Sequence, residues 1–196
     1  LAAFRTRKVQ HINELHRALM FTSPNPELGG ELRVVQNWLG GNQFNPCNAD
    51  FVPPPPEMVV ELLQDLCHFI NRDDLPALAQ AAIAHAQFET IHPYIDGNGR
   101  TGRALIHVVL HRRSSVQTFV PPISLALATE SARYVAGLMR YRYVGKPGSR
   151  SARDGLQDWL DVFIAATRRS VADAEQLSND MTDLENQWRN KLASRR

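Results

Sequence analysis

Seven residues with complementary chemistry fall within the run HPYIDGNGRTGR: His92, Asp96, Gly97, Asn98, Gly99, Arg100 and Arg103. Together they suit reaction at a phosphate. A glycine-rich turn that opens a helix offers unpaired backbone N–H groups and the positive end of the helix dipole to an anion. Gly97 and Gly99 let the backbone approach that anion closely. Arg100 and Arg103 would sit in the first turn of the following helix, where a positive charge is disfavoured by roughly 0.3–1 kcal/mol. Something negative should therefore lie beside them, either a ligand or acids elsewhere in the fold. Asp96 places an acid next to the proposed anion, and a divalent cation resolves that conflict, because Mg2+ is typically held by one or two carboxylates plus phosphate oxygens. His92 suits the base that takes a proton from a nucleophile attacking phosphorus. Standing alone it would read as a capping or core histidine; beside Asp96, Asn98, Arg100 and Arg103 it reads as functional.

The same turn, GNGRTG, also satisfies G-x-G-x-x-G, but the dinucleotide fingerprint needs a preceding strand and an acid about 20 residues on. Here an alanine-rich segment precedes it, and Gln117 and Thr118 stand where the acid would be. That segment, 75–91, carries six alanines with Leu75, Leu78, Ile83, Phe88 and Ile91 spread around the helix, so it is expected to be buried at the centre of an all-α bundle. Pro93 turns the chain out of the helix at His92. A second buried helix follows from about 100 to 113, with Ala104, Leu105, Ile106, Val108, Val109 and Leu110. Further helices are expected over about 5–20, 57–71, 131–143 and 155–171. Between the first two, LRVVQNWL, two glycines and the four prolines 53–56 suggest a short hairpin over about 32–52. Beyond 171, Ala174, Leu177, Met181, Leu184 and Trp188 recur at spacings of three and four, a coiled-coil type of seam expected to pack on the same chain.

Composition bounds the setting. The chain has 196 residues, 43% hydrophobic, with a formal charge of +2, which fits one globular domain with a helical extension and gives no field that argues for nucleic acid or membrane. Only Cys47 and Cys67 are present, without a CxxC pair, which favours a reduced, cytoplasmic setting over a disulfide scaffold or zinc site. No apolar run reaches the roughly 20 residues of a membrane span. The chain opens at Leu1, so a missing N-terminal stretch is expected.

The run from His92 to Arg103 closely resembles the Fic motif, HxFx(D/E)GNGRxxR, with Tyr94 in place of the usual phenylalanine. The resemblance extends through QNWLGG (36–41) and FVPPPP (51–56), so about residues 1–170 are expected to form a Fic catalytic domain with the hairpin as its flap, and 171–196 a C-terminal helix. It implies an all-α protein adenylyltransferase that moves AMP from ATP to a hydroxyl side chain of a target protein. His92 would be the base, Asp96 the Mg2+ ligand, Asn98 with the backbone of Gly97 and Gly99 the anion hole, and Arg100 and Arg103 the phosphate-binding arginines. The flap would align a segment of the target by strand addition. Relatives that move another phosphate-containing group alter one of the two glycines, so Gly97 and Gly99 favour AMP transfer. The family's inhibitory pattern [S/T]xxxE[G/N] is not matched: the one Glu followed by Gly or Asn is Glu185, and Met181 stands four before it. An inhibitory glutamate is then expected from a separate antitoxin chain or from a missing N-terminal segment.

Two competing features are weaker. His107 and His111 have metal-ligand spacing, but Val108 breaks the H-E-x-x-H pattern. Residues 131–153 carry six basic groups, no acid, and Tyr134, Tyr141 and Tyr143, which could bind nucleic acid. A solvated basic face is the simpler reading.

Overall fold

A computed structural model describes residues 8–42, 44–113 and 121–193. Its helices are α1 (Val9–Met20), α2 (Val59–Ile70), α3 (Ala77–Ile91), α4 (Asn98–Arg112), α5 (Ile123–Thr129), α6 (Ser131–Tyr141) and α7 (Arg150–Ala193). Among the described residues no β-sheet forms, so the all-α expectation holds. None of the helices is long and apolar enough to cross a membrane.

Helix α3 is the axis of the bundle because small side chains let neighbours close on every side of it. Ala81, Ala82, Ala84, Ala86 and Phe88 are fully buried, and α2, α4, α6 and α7 all pack against it. Two polar side chains tie the layers. Gln80 donates from Nε2 to the carbonyls of Phe69, Ile70 and Arg72, satisfying the C-terminal end of α2. Trp159 of α7 donates to the Ala82 carbonyl at 2.8 Å. Leu63, Leu66 and Ile70 of α2 and Leu105, Ile106 and Val109 of α4 fill the space between. Burying one such side chain contributes about 1.5–3 kcal/mol.

Three expectations change. The hairpin reduces to one antiparallel bridge, Leu39 to Phe51, with Leu39 N–H donating to the Phe51 carbonyl at 2.9 Å. Polar side chains explain the missing ladder. The Gln36 amide bonds the Asn37 and Pro53 carbonyls, and prolines 53–56 have no N–H to donate. The helices read separately at 155–171 and beyond are one continuous helix, α7, unbroken across the 170/171 boundary. Nor does the seam pack on the described chain: Leu177, Met181, Leu184 and Trp188 are all exposed. The start of the first helix, at 5–7, lies outside the described residues.

Candidate active site

The site forms where α3 ends and α4 begins. His92 caps α3 in the left-handed conformation, φ 48° and ψ 60°, with its N–H on the Phe88 carbonyl at 2.9 Å. A residue with a Cβ takes that conformation at a cost of about 1–2 kcal/mol, so other contacts must hold it. Arg33 supplies them. Its side chain is buried and donates from Nε to the His92 carbonyl at 2.9 Å, from Nη2 to the carbonyls of Ile91 and Pro54, and from Nη1 to Val35. Its own N–H donates to the Pro93 carbonyl, beside a bridge between Leu32 and Tyr94. One buried guanidinium therefore joins the base of the flap, the proline run and the exit of α3.

Tyr94 is the wedge under the turn. It is fully buried and stacks on His16 of α1, ring centroids 3.6 Å apart. The hydroxyl that distinguishes it from phenylalanine donates to Asn13 Oδ1 at 2.8 Å. His16 continues the strut. Gly30 N–H donates to its Nδ1 at 2.8 Å, so the proton sits on Nε2, which donates to the Asp96 carbonyl at 2.9 Å. Desolvation lowers the pKa of His16 and keeps it neutral, against the pull of the Asp96 carbonyl.

Asn98 is buried and spends its side chain on the loop itself, accepting from Tyr94 N–H at 2.9 Å and donating to the Tyr94 carbonyl at 2.8 Å. Its amide thus fixes the turn, leaving the backbone N–H groups at the start of α4 to meet an anion. Gly97 has φ 76°, and a Cβ there would lie 2.7 Å from Met20 Sδ and 2.8 Å from His16 Nε2, so only glycine fits. Asp96 accepts from Gly97 N–H at 2.6 Å and pairs with Arg100 at 3.4 Å. Arg100 therefore has an acid one turn away, just outside the helix turn that itself contains none. Arg103 lies over Gly99, with Nη1 3.1 Å from where a Cβ would be. His92, Ile95, Asp96, Gly97, Asn98, Gly99 and Arg100 line a polar cleft of about 320 Å³.

The electrostatics keep the candidate base free of a proton. Burial pushes the His92 pKa down to about 4, with Arg142 and Arg33 adding to the shift and the Glu89 carbonyl opposing it. The ring is neutral at pH 7. Its Nδ1 is buried, so Nε2 is the ring nitrogen available to the cleft that His92 lines. One turn before it, Glu89 is buried with Oε1 unpartnered, and desolvation raises its pKa to about 7 against the pull of Arg103 and Arg142. That Oε1 would be 2.3 Å from a Cβ on Gly102. Arg142 in turn donates to the Glu89 carbonyl at 2.9 Å and lies 3.7 Å over the Phe51 ring, linking the far side of the flap to the last turn of α3.

Six of the seven residues singled out in the sequence line this cleft, and the seventh, Arg103, lies beside it over Gly99. The sequence reading missed Arg33, His16, Asn13, Glu89 and Arg142, which reach the turn from distant segments. One signal was available: Arg33 is a lone charge in the otherwise apolar run LRVV. The competing features disperse. His107 bonds Ser124 and His111 is exposed, and no group of three or more metal-ligating side chains forms among the described residues. Tyr134 and Tyr141 pack against the core, while Arg133 and Arg140 pair with Glu130 and Asp158.

A profile of the Fic/DOC family matches residues 7–110. Protein adenylyltransferase Fic of Drosophila grimshawi is 32% identical over 162 residues, 81% of this chain and 30% of that protein. Protein adenylyltransferase fic-1 of Caenorhabditis briggsae is 30% identical over 131 residues, 65% of this chain and 23% of the relative. The chain thus spans less than a third of the length of these curated relatives. In fold it is similar to a Fic family protein from Desulfovibrio desulfuricans, with a TM-score of 0.63 at 22% identity over 86% of this chain and 48% of the other. The profile match over more than half the chain, falling on the helices and turn just described, shows that this chain belongs to the Fic/DOC family.

Proposed function

We propose that this domain transfers AMP from ATP to a hydroxyl side chain of another protein, or of itself. The observation that carries the reading is a neutral His92 lining the same polar cleft as Asp96 and the start of α4. In the reaction the hydroxyl oxygen attacks the α-phosphorus, the bond to the β-phosphate bridging oxygen breaks, and pyrophosphate leaves. His92 Nε2 takes the hydroxyl proton. With the Gly97 N–H engaged by Asp96, the backbone N–H groups of Asn98 and Gly99 hold the α-phosphate oxygens, and Arg100 and Arg103 hold the outer phosphates, where charge-assisted contacts are strongest.

Asp96 fits a Mg2+ ligand. It is a single, half-exposed carboxylate beside the anion turn, the donor set expected for a cation that shares its shell with phosphate oxygens and water. Asp96 would hold such a cation, which would offset the negative charge of the phosphates. The Leu39–Phe51 bridge and the half-open segment around it support docking of an extended target segment by strand addition. Family likeness supports control by an inhibitory glutamate from an antitoxin chain or an upstream segment, and two free thiols, Cys47 and Cys67, support a reducing compartment such as the cytoplasm. The test is to supply ATP labelled at either the α- or the γ-phosphate with a cell lysate. Label on protein from the α position alone supports AMP transfer; label from the γ position alone would make the domain a kinase.

A further inference from the structure

Helix α7 holds to the domain as far as Ser170, which is buried. From 171 to 192 every side chain except Ala174's is exposed. At 1.5 Å per residue this free part is roughly 35 Å long, and an isolated helix of that length draws little stability from propensity alone. Its apolar residues are not scattered. Leu177, Met181, Leu184 and Trp188, between 48% and 64% exposed, lie on one stripe. In heptad terms Ala174, Met181 and Trp188 take one seam position and Leu177, Leu184 and Lys191 the other.

We propose that this stripe is an interface for a second copy of the chain, paired antiparallel. A two-fold axis between Met181 and Leu184 sets each position of one seam against the other kind. Met181 meets the partner's Leu184, Leu177 meets the partner's Trp188, and Ala174 meets the partner's Lys191. Each pair is self-complementary, and the small Ala174 leaves room for the long lysine stem. Charge selects the direction. Asp173, Glu175, Asp180, Asp183 and Glu185 are acids with no base among 171–188, and Arg189 and Lys191 follow. A parallel pair would set Asp180 beside the partner's Glu185, acid against acid. The antiparallel pair sets the acidic half of each helix beside the basic end of the other. It sets Asp180 near the partner's Gln187 and Glu185 near the partner's Ser178. Such an interface closes on itself as a dimer and does not propagate.

The proposal is independent of the reaction and is tested without it. Sedimentation equilibrium of the 196-residue chain should give a mass rising with concentration toward twice that of one chain. Met181→Asp with Leu184→Asp should abolish this, with thermal unfolding of the domain unchanged at concentrations where the wild type is monomeric, because both side chains are exposed in the single chain. Orientation is read in a Cys47→Ser background. A chain with Leu177→Cys mixed with one carrying Trp188→Cys should form a disulfide under mild oxidation. Trp188→Cys alone should not, since two such positions lie roughly 16 Å apart in the antiparallel pair, beyond disulfide reach. A monomer at every concentration, or self-linkage of Trp188→Cys alone, would overturn the proposal. The first result would leave the stripe to a different partner or to a further segment of the chain; the second would make the pair parallel.

Discussion

Replacing Arg33 should uncouple the base from its support while leaving the phosphate turn in place. Its side chain makes four bonds to carbonyls, that to His92 at 2.9 Å, a second to Pro54, and those to Ile91 and Val35 at 3.3 Å. Hydrogen bonds from a charged donor contribute about 1.5–3 kcal/mol each when well formed. Two of the four meet that standard, so Arg33→Met should cost roughly 3–6 kcal/mol, a large share of a domain's stability of about 5–15 kcal/mol. Arg33→Lys keeps the charge but has no planar fork to reach four acceptors, and should cost about half as much. The kinetic effect comes through His92. Freed of the grip on its carbonyl, the left-handed residue relaxes toward an ordinary helix end, and a displacement of about 1 Å at a reacting group can lower the rate about 100-fold. Arg33 makes no hydrogen bond to residues 96–103, so nucleotide affinity should hold within about threefold. Urea unfolding, an ATP titration and the rate of label transfer by Arg33→Lys separate these effects. Lost stability with an unchanged rate would make Arg33 purely structural, and unchanged stability would refute the bonding argument itself.

Gly97→Ala should remove nucleotide binding and cost roughly 2–5 kcal/mol, since left-handed strain adds to a clash with Met20 and His16; calorimetric titration and thermal unfolding check both. Asp96→Asn should weaken ATP binding when Mg2+ is present and change it little when Mg2+ is chelated, because a neutral amide cannot offset the cation. Glu89→Gln tests the buried acid. With its folded pKa raised to about 7 from 4.5, Glu89 favours folding when protonated, and this contribution is lost as pH rises from about 4.5 to 7. His85 and His92, both lowered to about 4, act in the opposite sense, their destabilisation disappearing as pH rises to about 6.5. The difference in unfolding free energy between Glu89→Gln and wild type should therefore move by about 3 kcal/mol in favour of the variant between pH 4 and 8; a difference that stays constant with pH would show that Glu89 is not perturbed.

The site was legible in the sequence because its chemistry is local. His92, Asp96, the two glycines and both arginines sit on one helix–turn–helix, so motif spacing fixes their neighbourhood without tertiary knowledge. Alanine content likewise marked α3 as the central helix. What supports the turn is not local: Arg33 bonds across 59 residues to His92 and His16 across 80 to Asp96, and no periodicity reports such pairs. The flap was over-read because LRVVQNWL, closed by Gly40, Gly41 and the proline run, has the punctuation of a hairpin, while Gln36 takes up carbonyls a ladder would have used. The two helices read on either side of 171 are one because, although the apolar stripe narrows there, no glycine or proline lies there to break the helix.

The most direct test removes the proposed base alone. Wild type and His92→Ala are incubated with ATP labelled at the α-phosphate and a lysate, and ATP affinity is measured on both. His92 lies outside the N–H turn, so binding should hold within about threefold while transfer falls by about 10²–10⁴, the usual worth of a general base. Transfer by His92→Ala at close to the wild-type rate would contradict the account.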